Sequence, residues 1–183
     1  MKSNLQIISG KYRGKKLVLP NNARPTQNMA RGALFNMLNE IIDITKPVSV
    51  WDAFGGSGAF GLECISRFNK PNVVFTDIED SSVNTIKKNL ISMNEIATIE
   101  KSDAISVIPK FGGISDLIFI DPPYSDFGLG MLFVKKISKT AKSGALLIWE
   151  FESNQQTPKI DDFWEVVKDK TYGRARFLFL LKK

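Results

Sequence analysis

The segment VSVWDAFGGSGAFG (residues 48–61) decides how the rest of the chain is interpreted. Its apolar first residues are rich in β-branched and aromatic side chains, which predicts a buried strand. Its second half has the spacing Gly56-x-Gly58-x-x-Gly61, which is typical of a glycine loop that leads from a strand into a helix. A strand, a glycine loop and a helix in this order predict the start of an α/β domain.

Strands and helices alternate downstream of this segment. Four further β-prone runs are expected as strands, at residues 73–77, 97–100, 117–121 and 145–150, with helices through 81–93, from Asp103 and near 132–137. Strands that alternate with helices and are themselves apolar indicate a parallel sheet covered on both faces. Residues 163–170 and 175–181 follow each other without a helix, so we expect them to form an antiparallel hairpin at the end of the chain.

The residues before the segment predict a small extension. Two β-prone runs around Gly10 and Gly14 indicate a basic hairpin, and apolar residues at helical spacing follow Thr26, a plausible N-cap. We therefore expect an α/β fold with a Rossmann-like sheet of about seven strands, a C-terminal antiparallel hairpin, and a small N-terminal hairpin and helix. The domain would span residues 1–183, with a hairpin extension at 1–25 and a catalytic core at 26–183.

The composition excludes several kinds of chemistry. The 183 residues include no histidine, which removes His-based triads, His zinc sites and His general bases. A single cysteine, Cys64, excludes an internal disulfide framework. No apolar run is long enough to span a membrane, and no signal core follows Met1, so we expect a cytoplasmic protein without a membrane partner and without a metal site.

The charge is distributed unevenly along the chain. Residues 1–46 carry a net charge of +6 and residues 153–183 carry +3, whereas residues 47–152 carry −3. Basic ends suit a polyanionic partner such as RNA or DNA, although a solvated surface would give the same balance.

An acidic residue beside the glycine loop indicates which cofactor the loop would hold. Asp52 directly precedes the loop and would repel a pyrophosphate, but it would attract the ammonium and sulfonium of S-adenosylmethionine. We therefore favour this cofactor over a dinucleotide. Asp77, which ends the next predicted strand, would bind its ribose hydroxyls, and the adenine would lie near Asp103 and Ala104.

The tetrapeptide Asp121-Pro122-Pro123-Tyr124 ends the fourth predicted strand. Prolines alone could simply terminate the strand. Together, the four residues suit the activation of an amine on a nucleobase, whose lone pair is delocalised into the ring. Asp121 and the carbonyl of Pro122 could accept its two N–H bonds, rigid prolines would hold these acceptors in place, and Tyr124 offers a face on which the base stacks.

Five segments in this order resemble one known family. They are GKYRGKKL (10–17), RPT (24–26), ALFN (33–36), DAFGGSG (52–58) and DPPY (121–124). Together they resemble the bacterial 16S ribosomal RNA guanine-N2 methyltransferases, and the resemblance covers nearly the whole chain. It implies a class I S-adenosylmethionine-dependent methyltransferase sheet and methylation of the N2 amine of a guanine in ribosomal RNA or in an assembling small subunit. Nothing in the sequence indicates more than a monomer.

The resemblance also assigns residues. Those expected to bind the cofactor are Asp52, Phe54, Gly55, Gly56, Gly58, Asp77, Ile78, Asp103 and Ala104. Those expected to act on the amine are Asp121, Pro122, Pro123 and Tyr124, and those expected to contact RNA are Lys11, Arg13, Lys15, Lys16, Arg24 and Arg31.

The chain departs from the family pattern at a few positions. Gly55 and Trp51 stand where the family usually has Ala and a smaller apolar residue. After the RPT segment, residues 27–32 read QNMARG, so one arginine and two acids of the family pattern are missing. These changes leave the cofactor motifs intact and alter the expected RNA contacts.

Other functions share parts of this pattern. A dinucleotide oxidoreductase would share the glycine loop, but neither Asp52 nor the DPPY segment suits one. A methyltransferase acting on adenine N6 of a nucleic acid, or on a protein amide, shares the DPPY segment. A non-enzymatic RNA-binding module would explain the basic ends but neither motif.

Overall fold

The computed structural model describes residues 5–20 and 28–183. Within these ranges the strands are β1 (Ser49–Asp52), β2 (Asn72–Asp77), β3 (Thr98–Lys101), β4 (Leu117–Ile120), β5 (Leu146–Glu152), β6 (Trp164–Tyr172) and β7 (Ala175–Lys182). The helices are α1 (Asn28–Asn39), α2 (Ala59–Arg67), α3 (Asp80–Met93), α4 (Ile108–Phe111) and α5 (Phe127–Ile137). The expected α/β fold is confirmed.

The strands form one seven-stranded sheet in the order β3-β2-β1-β4-β5-β7-β6. The first five strands pair in parallel, whereas β7 pairs antiparallel with both β5 and β6. The strand order reverses at β1, which lies between β2 and β4. In open α/β sheets ligands bind outside the carboxyl ends of the strands at such a switch point. The fold therefore predicts a ligand site at the ends of β1 and β4.

Both faces of the sheet are covered by apolar side chains. Successive residues of a strand point to opposite faces, so Val50 packs with α1, α2 and α3, whereas Trp51 packs with α4 and α5. The same alternation separates Phe119 from Ile120 on β4. Burial on both faces explains why these strands read as continuous apolar runs.

Residues 5–20, here called the N-terminal ribbon, fold back on themselves as the sequence predicts. Antiparallel hydrogen bonds join Ile7 N to the Lys15 carbonyl (2.9 Å) and Leu17 N to the Leu5 carbonyl (3.0 Å). The ribbon contains one β-bridge, between Gln6 and Lys16, rather than two regular strands. Gly10 and Gly14 both adopt φ of 82°, a left-handed conformation that favours glycine, and so turn the chain.

Some element boundaries differ from the sequence-based expectation. The helix expected from Asp103 begins at Ile108, because the Asp103 carboxylate accepts the backbone N–H groups of Ile105 and Ser106 and holds a turn there. Helix α5 begins earlier than expected, at Phe127, because Asp126 caps it by accepting Leu129 N (2.9 Å). The expected N-cap Thr26 lies outside the described residues. No helix in the described ranges is long and apolar enough to cross a membrane.

The carboxylate of Glu63 joins the N-terminal ribbon to the core. Glu63 is fully buried on α2 and accepts the backbone N–H groups of Ile8 and Ser9, each at 2.9 Å. It also accepts Arg67 Nε at 2.6 Å and lies 3.6 Å from Arg31 Nε. A buried carboxylate with this many donors holds the ribbon, α1 and α2 in one arrangement.

Replacing Glu63 with alanine is therefore expected to destabilise the protein strongly. Breaking a buried charge network by removing one partner costs about 3–5 kcal/mol, since the remaining charge and donors lose their acceptor. The matched control is Glu40→Ala, because the exposed carboxylate of Glu40 pairs with Lys168 at the surface. That change should cost less than about 1 kcal/mol. Free energies of unfolding from urea titrations test the difference, and equal losses for both variants would contradict the anchoring role.

Candidate active site

The glycine loop joins the end of β1 to the start of α2. Gly56 and Gly58 have φ of 52° and 76°, so both positions require the left-handed backbone that glycine adopts easily. The loop is held against β2 by a hydrogen bond from Gly55 N to the Thr76 carbonyl (2.8 Å). A Cβ on Gly55 would lie 3.2 Å from that carbonyl and 2.8 Å from Ile86 Cδ1. The glycine that replaces the family's usual alanine thus suits this close approach.

Asp52 at the end of β1 binds the backbone at the far end of the glycine loop. Its Oδ2 accepts Gly61 N at 3.0 Å, and its side chain is almost entirely buried. The pKa of Asp52 is raised to about 7, mainly by burial and less by the charge of Asp77, while the hydrogen bond from Gly61 opposes both effects. The predicted cofactor carboxylate is therefore also a structural clamp on the loop.

Asp77 at the end of β2 binds the backbone at the start of the glycine loop. Its Oδ2 accepts Gly56 N at 2.7 Å and its Oδ1 accepts Glu79 N at 2.9 Å. The neighbouring side chain of Ile78 is 61% exposed, so an apolar surface lies open beside this carboxylate. Ser102 N donates to the Asp77 carbonyl (3.0 Å), which places the turn containing Asp103 and the buried Ala104 next to it.

Phe54, also expected at the cofactor site, is half-buried and packs edge-on against Phe133, with ring centroids 5.8 Å apart. Trp51, which replaces a smaller residue of the family pattern, packs on the face of the sheet that α4 and α5 cover. Its ring lies against Phe133 and Phe111, and its Nε1 donates to Thr76 Oγ1 at 3.1 Å. The larger side chain thus has both apolar contacts and a hydrogen-bond partner.

The DPPY segment follows β4 directly. Pro122 is buried, Pro123 is exposed and Tyr124 is half-buried, so the segment runs from the core to the surface. Burial raises the pKa of Asp121 well above its usual range, and the nearby carboxylates of Glu150 and Asp52 raise it further. The Tyr124 hydroxyl donates to Glu150 Oε1 at 3.0 Å, which fixes the direction of its ring.

Glu150 belongs to the site although the sequence analysis did not identify it. The register that pairs Ile120 of β4 with Trp149 of β5 places Glu150 beside Asp121. Burial raises the pKa of Glu150 to about 7, while the hydrogen bond from Tyr124 and the charge of Arg31 oppose this shift. The signal available in the sequence was an acid within the otherwise apolar run LLIWEF (146–151). Burying a charge in such a run is costly unless it has a partner or a functional role.

Arg31 does not lie where the sequence analysis expected it. It was predicted to contact RNA, but its side chain is 3% exposed and points from α1 into the interior. Its Nη2 donates to the Gln6 carbonyl and to Asn28 Oδ1 (3.2 Å). A surface phosphate cannot reach a guanidinium in this position, so the prediction of an RNA contact is wrong for Arg31.

The other basic residues expected to contact RNA occupy the N-terminal ribbon. Lys11, Arg13, Lys15 and Lys16 are all exposed. Lys11 forms an ion pair with Glu95, which also accepts the Tyr12 hydroxyl at 2.6 Å. In the described part of the chain, Arg13, Lys15 and Lys16 form no ion pair. Arg24 lies outside the described residues.

A small cavity lies between α1, α2 and the ends of β1, β4 and β5. It has a volume of about 40 Å³ and its polar lining consists of Arg31, Asp52, Asp121 and Glu150. Phe60 and Phe119, which stack with ring centroids 4.1 Å apart, form part of its apolar wall. The cavity thus brings together Asp52 and Asp121, which belong to the predicted motifs, and Arg31 and Glu150, which do not.

The arrangement fits S-adenosylmethionine. Four carboxylates, those of Asp52, Asp77, Asp103 and Asp121, follow the four consecutive parallel strands around the switch point, and such a set favours a positively charged ligand. Ile78 offers an open apolar surface beside the carboxylate expected to bind the ribose. At Gly56 an added Cβ would meet no atom closer than 3.9 Å, so the loop leaves open space on its outer side.

The whole chain is similar to known proteins. The model of the family described as "Conserved hypothetical protein 95" matches residues 5–181. The ribosomal RNA small subunit methyltransferase D of Haemophilus influenzae is 31% identical over 183 residues, covering 94% of this chain and 91% of that protein. The solved Escherichia coli protein yhhF, a candidate methyltransferase, is 28% identical with a TM-score of 0.84 over 97% of both chains.

A more distant structure supports the class of the fold. A candidate class I S-adenosylmethionine-dependent methyltransferase from Listeria monocytogenes superposes with a TM-score of 0.66 at 14% identity, over 86% of this chain and 60% of that one. At this identity the similarity concerns the fold alone.

The raised pKa of Asp52 predicts how stability depends on pH. The ordinary value is 3.8 and the folded value is about 7, so between these values the folded protein holds a proton that the unfolded chain releases. The contribution of Asp52 to the free energy of unfolding is therefore largest below pH 4 and is lost as the pH rises towards 7.

Asp52→Asn keeps an acceptor for Gly61 N but removes the titrating group. We expect its free energy of unfolding, measured by urea titration at several pH values, to fall less steeply than that of the wild type between pH 4 and 7. The difference should be on the order of a few kcal/mol across this window. Parallel curves for the two proteins would show that Asp52 is not held in its neutral form.

Proposed function

We propose that this chain, which belongs to the Conserved hypothetical protein 95 family, is a class I methyltransferase that methylates the exocyclic N2 amine of a guanine in small-subunit ribosomal RNA. The methyl donor would be S-adenosylmethionine. The observation that carries this proposal is the position of the DPPY segment at the end of β4, directly beside the glycine loop that follows β1.

The cofactor would be held by residues that already surround the loop. When bound, S-adenosylmethionine supplies a methyl group made electrophilic by its positively charged sulfur. Asp77 would accept the ribose hydroxyls with lone pairs left free by Gly56 N and Glu79 N. Ile78 would cover one face of the adenine, and the turn at Asp103 and Ala104 would lie along its edge.

The DPPY segment would orient the amine. Asp121 and the carbonyl of Pro122 would each accept one N–H of the N2 amine, so that the nitrogen lone pair points towards the methyl group. The prolines limit backbone movement at these acceptors. Since its hydroxyl is bonded to Glu150, the Tyr124 ring is held in a fixed direction and would stack on the base.

Methylation of the amine develops positive charge on its nitrogen, and a proton must leave afterwards. Asp121 and Glu150 are adjacent carboxyl groups in a poorly solvated site, and both have raised pKa values. Carboxylates placed this way stabilise the developing charge. A group whose pKa is about 7, as for Glu150, is well matched to accept a proton near neutral pH.

The nature of the substrate is supported by two further observations. The relative from Haemophilus influenzae, which spans nearly the same length, is named a ribosomal RNA small subunit methyltransferase. The exposed cations of the N-terminal ribbon provide a surface for phosphates. Phosphate contacts of this kind position an RNA, whereas the base itself would be read in the site.

Asp121→Asn tests the central step. The amide is a weaker acceptor and can turn an N–H towards the amine, so single-turnover methyl transfer to small ribosomal subunits should slow by about 10²–10³. Binding of S-adenosylmethionine should change little. The matched control is Asp126→Asn, five residues further on, because asparagine also caps helices and should preserve α5. If Asp121→Asn transferred the methyl group at the wild-type rate, Asp121 would only terminate the strand and would have no role in the reaction.

The ribbon is tested by charge reversal. Replacing Lys15 and Lys16 with glutamate should weaken binding to ribosomal RNA and make the slope of log K against log salt shallower by about 0.7–0.9 for each lost phosphate contact. The control replaces Lys135 and Lys136, two adjacent exposed lysines on α5, which packs on the opposite face of the sheet. Equal effects from the two pairs would show that the ribbon has no special role in RNA binding.

A further inference from the structure

We propose that Arg31 and the cavity it lines form the subsite for the amino-acid end of the methyl donor, with the Arg31 guanidinium receiving its carboxylate. This inference rests on the proposed function, because it assumes a ligand that carries both an α-carboxylate and an α-ammonium group. It assigns Arg31, which the sequence analysis expected at the RNA, to the cofactor instead.

The first observation is an incomplete hydrogen-bond set on a buried charge. The Arg31 side chain is 3% exposed, and among residues 5–20 and 28–183 its Nη1 and Nε have no hydrogen-bond partner, although Nε lies 3.6 Å from Glu63 Oε2. Within the described part of the chain, Nη2 alone donates hydrogen bonds, to the Gln6 carbonyl and Asn28 Oδ1. Buried donors without acceptors are rare and costly, most of all on a charged group.

Pairing with Glu63 does not explain this geometry. The two oxygens of Glu63 already accept Ile8 N, Ser9 N and Arg67 Nε, each at 2.9 Å or less in its shortest contact. A guanidinium placed only to neutralise Glu63 would face it with a two-pronged contact. Arg31 instead makes one long contact with Glu63, at 3.6 Å, and lines the cavity at the ends of β1 and β4.

The cavity has the size and the charges that the proposal requires. Its volume of about 40 Å³ is several times the ~10–15 Å³ needed for one water, which is enough for a carboxylate group. The planar fork of an arginine matches a carboxylate geometrically. Asp52 and Asp121, which line the same cavity, are suited to an ammonium group, so the cavity is complementary to a zwitterion.

The position of the cavity agrees with this ligand. Asp52 lies directly before the glycine loop and Asp121 begins the DPPY segment, so the cavity lies between the cofactor loop and the acceptors of the amine. A nucleoside held at Asp77 on the outer side of the loop would extend its tail towards this point. An RNA phosphodiester carries a ribose on each side, so it is too large for a cavity of about 40 Å³.

Calorimetry with two ligands isolates the amino-acid end. S-adenosylhomocysteine carries it, whereas methylthioadenosine has the same adenosine and sulfur but lacks it. Arg31→Met should weaken S-adenosylhomocysteine binding by about 10–100-fold, the scale of a hydrogen bond to a charged group. Binding of methylthioadenosine should stay within about twofold. Asp77→Ala is the control, because it should weaken both ligands.

Each other outcome is informative. Unchanged binding of S-adenosylhomocysteine to Arg31→Met, or equal weakening of both ligands, overturns the proposal. A selective loss of RNA binding also overturns it, since Arg31 would then serve the substrate. Should Arg31→Met not fold, Arg31→Lys keeps the charge beside Glu63 without the fork and should still weaken S-adenosylhomocysteine alone. If the wild type binds neither nucleoside, the proposed function itself fails.

Discussion

Two carboxylates accept hydrogen bonds from backbone N–H groups of the glycine loop and fix its course, and the rest of the site depends on these two bonds. Asp52 holds Gly61 and Asp77 holds Gly56, so the ends of β1 and β2 determine where the loop runs. These bonds keep the start of α2 against the sheet. At Gly61 an added Cβ would lie 2.3 Å from Phe75 Cε1, so the helix packs there as closely as only glycine allows.

A concentration of buried and partly buried acids is the electrostatic consequence of this arrangement. Asp52, Asp121 and Glu150 share one poorly solvated region, and burial raises the pKa of each. Such a cluster is costly for the empty protein and becomes favourable when a cationic ligand enters it. Arg31 provides the opposite charge on the α1 side, which links the N-terminal part of the chain to the catalytic end of the sheet.

The sequence predicted the features that depend on local patterns, namely the strands, the helices and the motifs. It did not predict residue positions that depend on packing between distant elements. The alternating elements predicted the parallel sheet and the C-terminal antiparallel hairpin, and the sequence placed the glycine loop and the DPPY segment each at the end of a strand. Glu150 could not be placed, because its proximity to Asp121 depends on the register of β4 and β5. Arg31 reads as a surface cation in a basic segment, and only the packing of α1 on Glu63 turns it inward. Apart from Arg31, the site assignments for the cofactor and RNA stay predictions.

The identity of the methylated nucleoside tests the account most directly. Small ribosomal subunits would be incubated with the protein and S-adenosylmethionine carrying a labelled methyl group, and the RNA digested to nucleosides for mass spectrometry. The account predicts the label in N2-methylguanosine, with little incorporation when Asp121→Asn replaces the wild type. Label in N6-methyladenosine, or in protein rather than RNA, would contradict the proposed substrate, although the same fold and cofactor would remain.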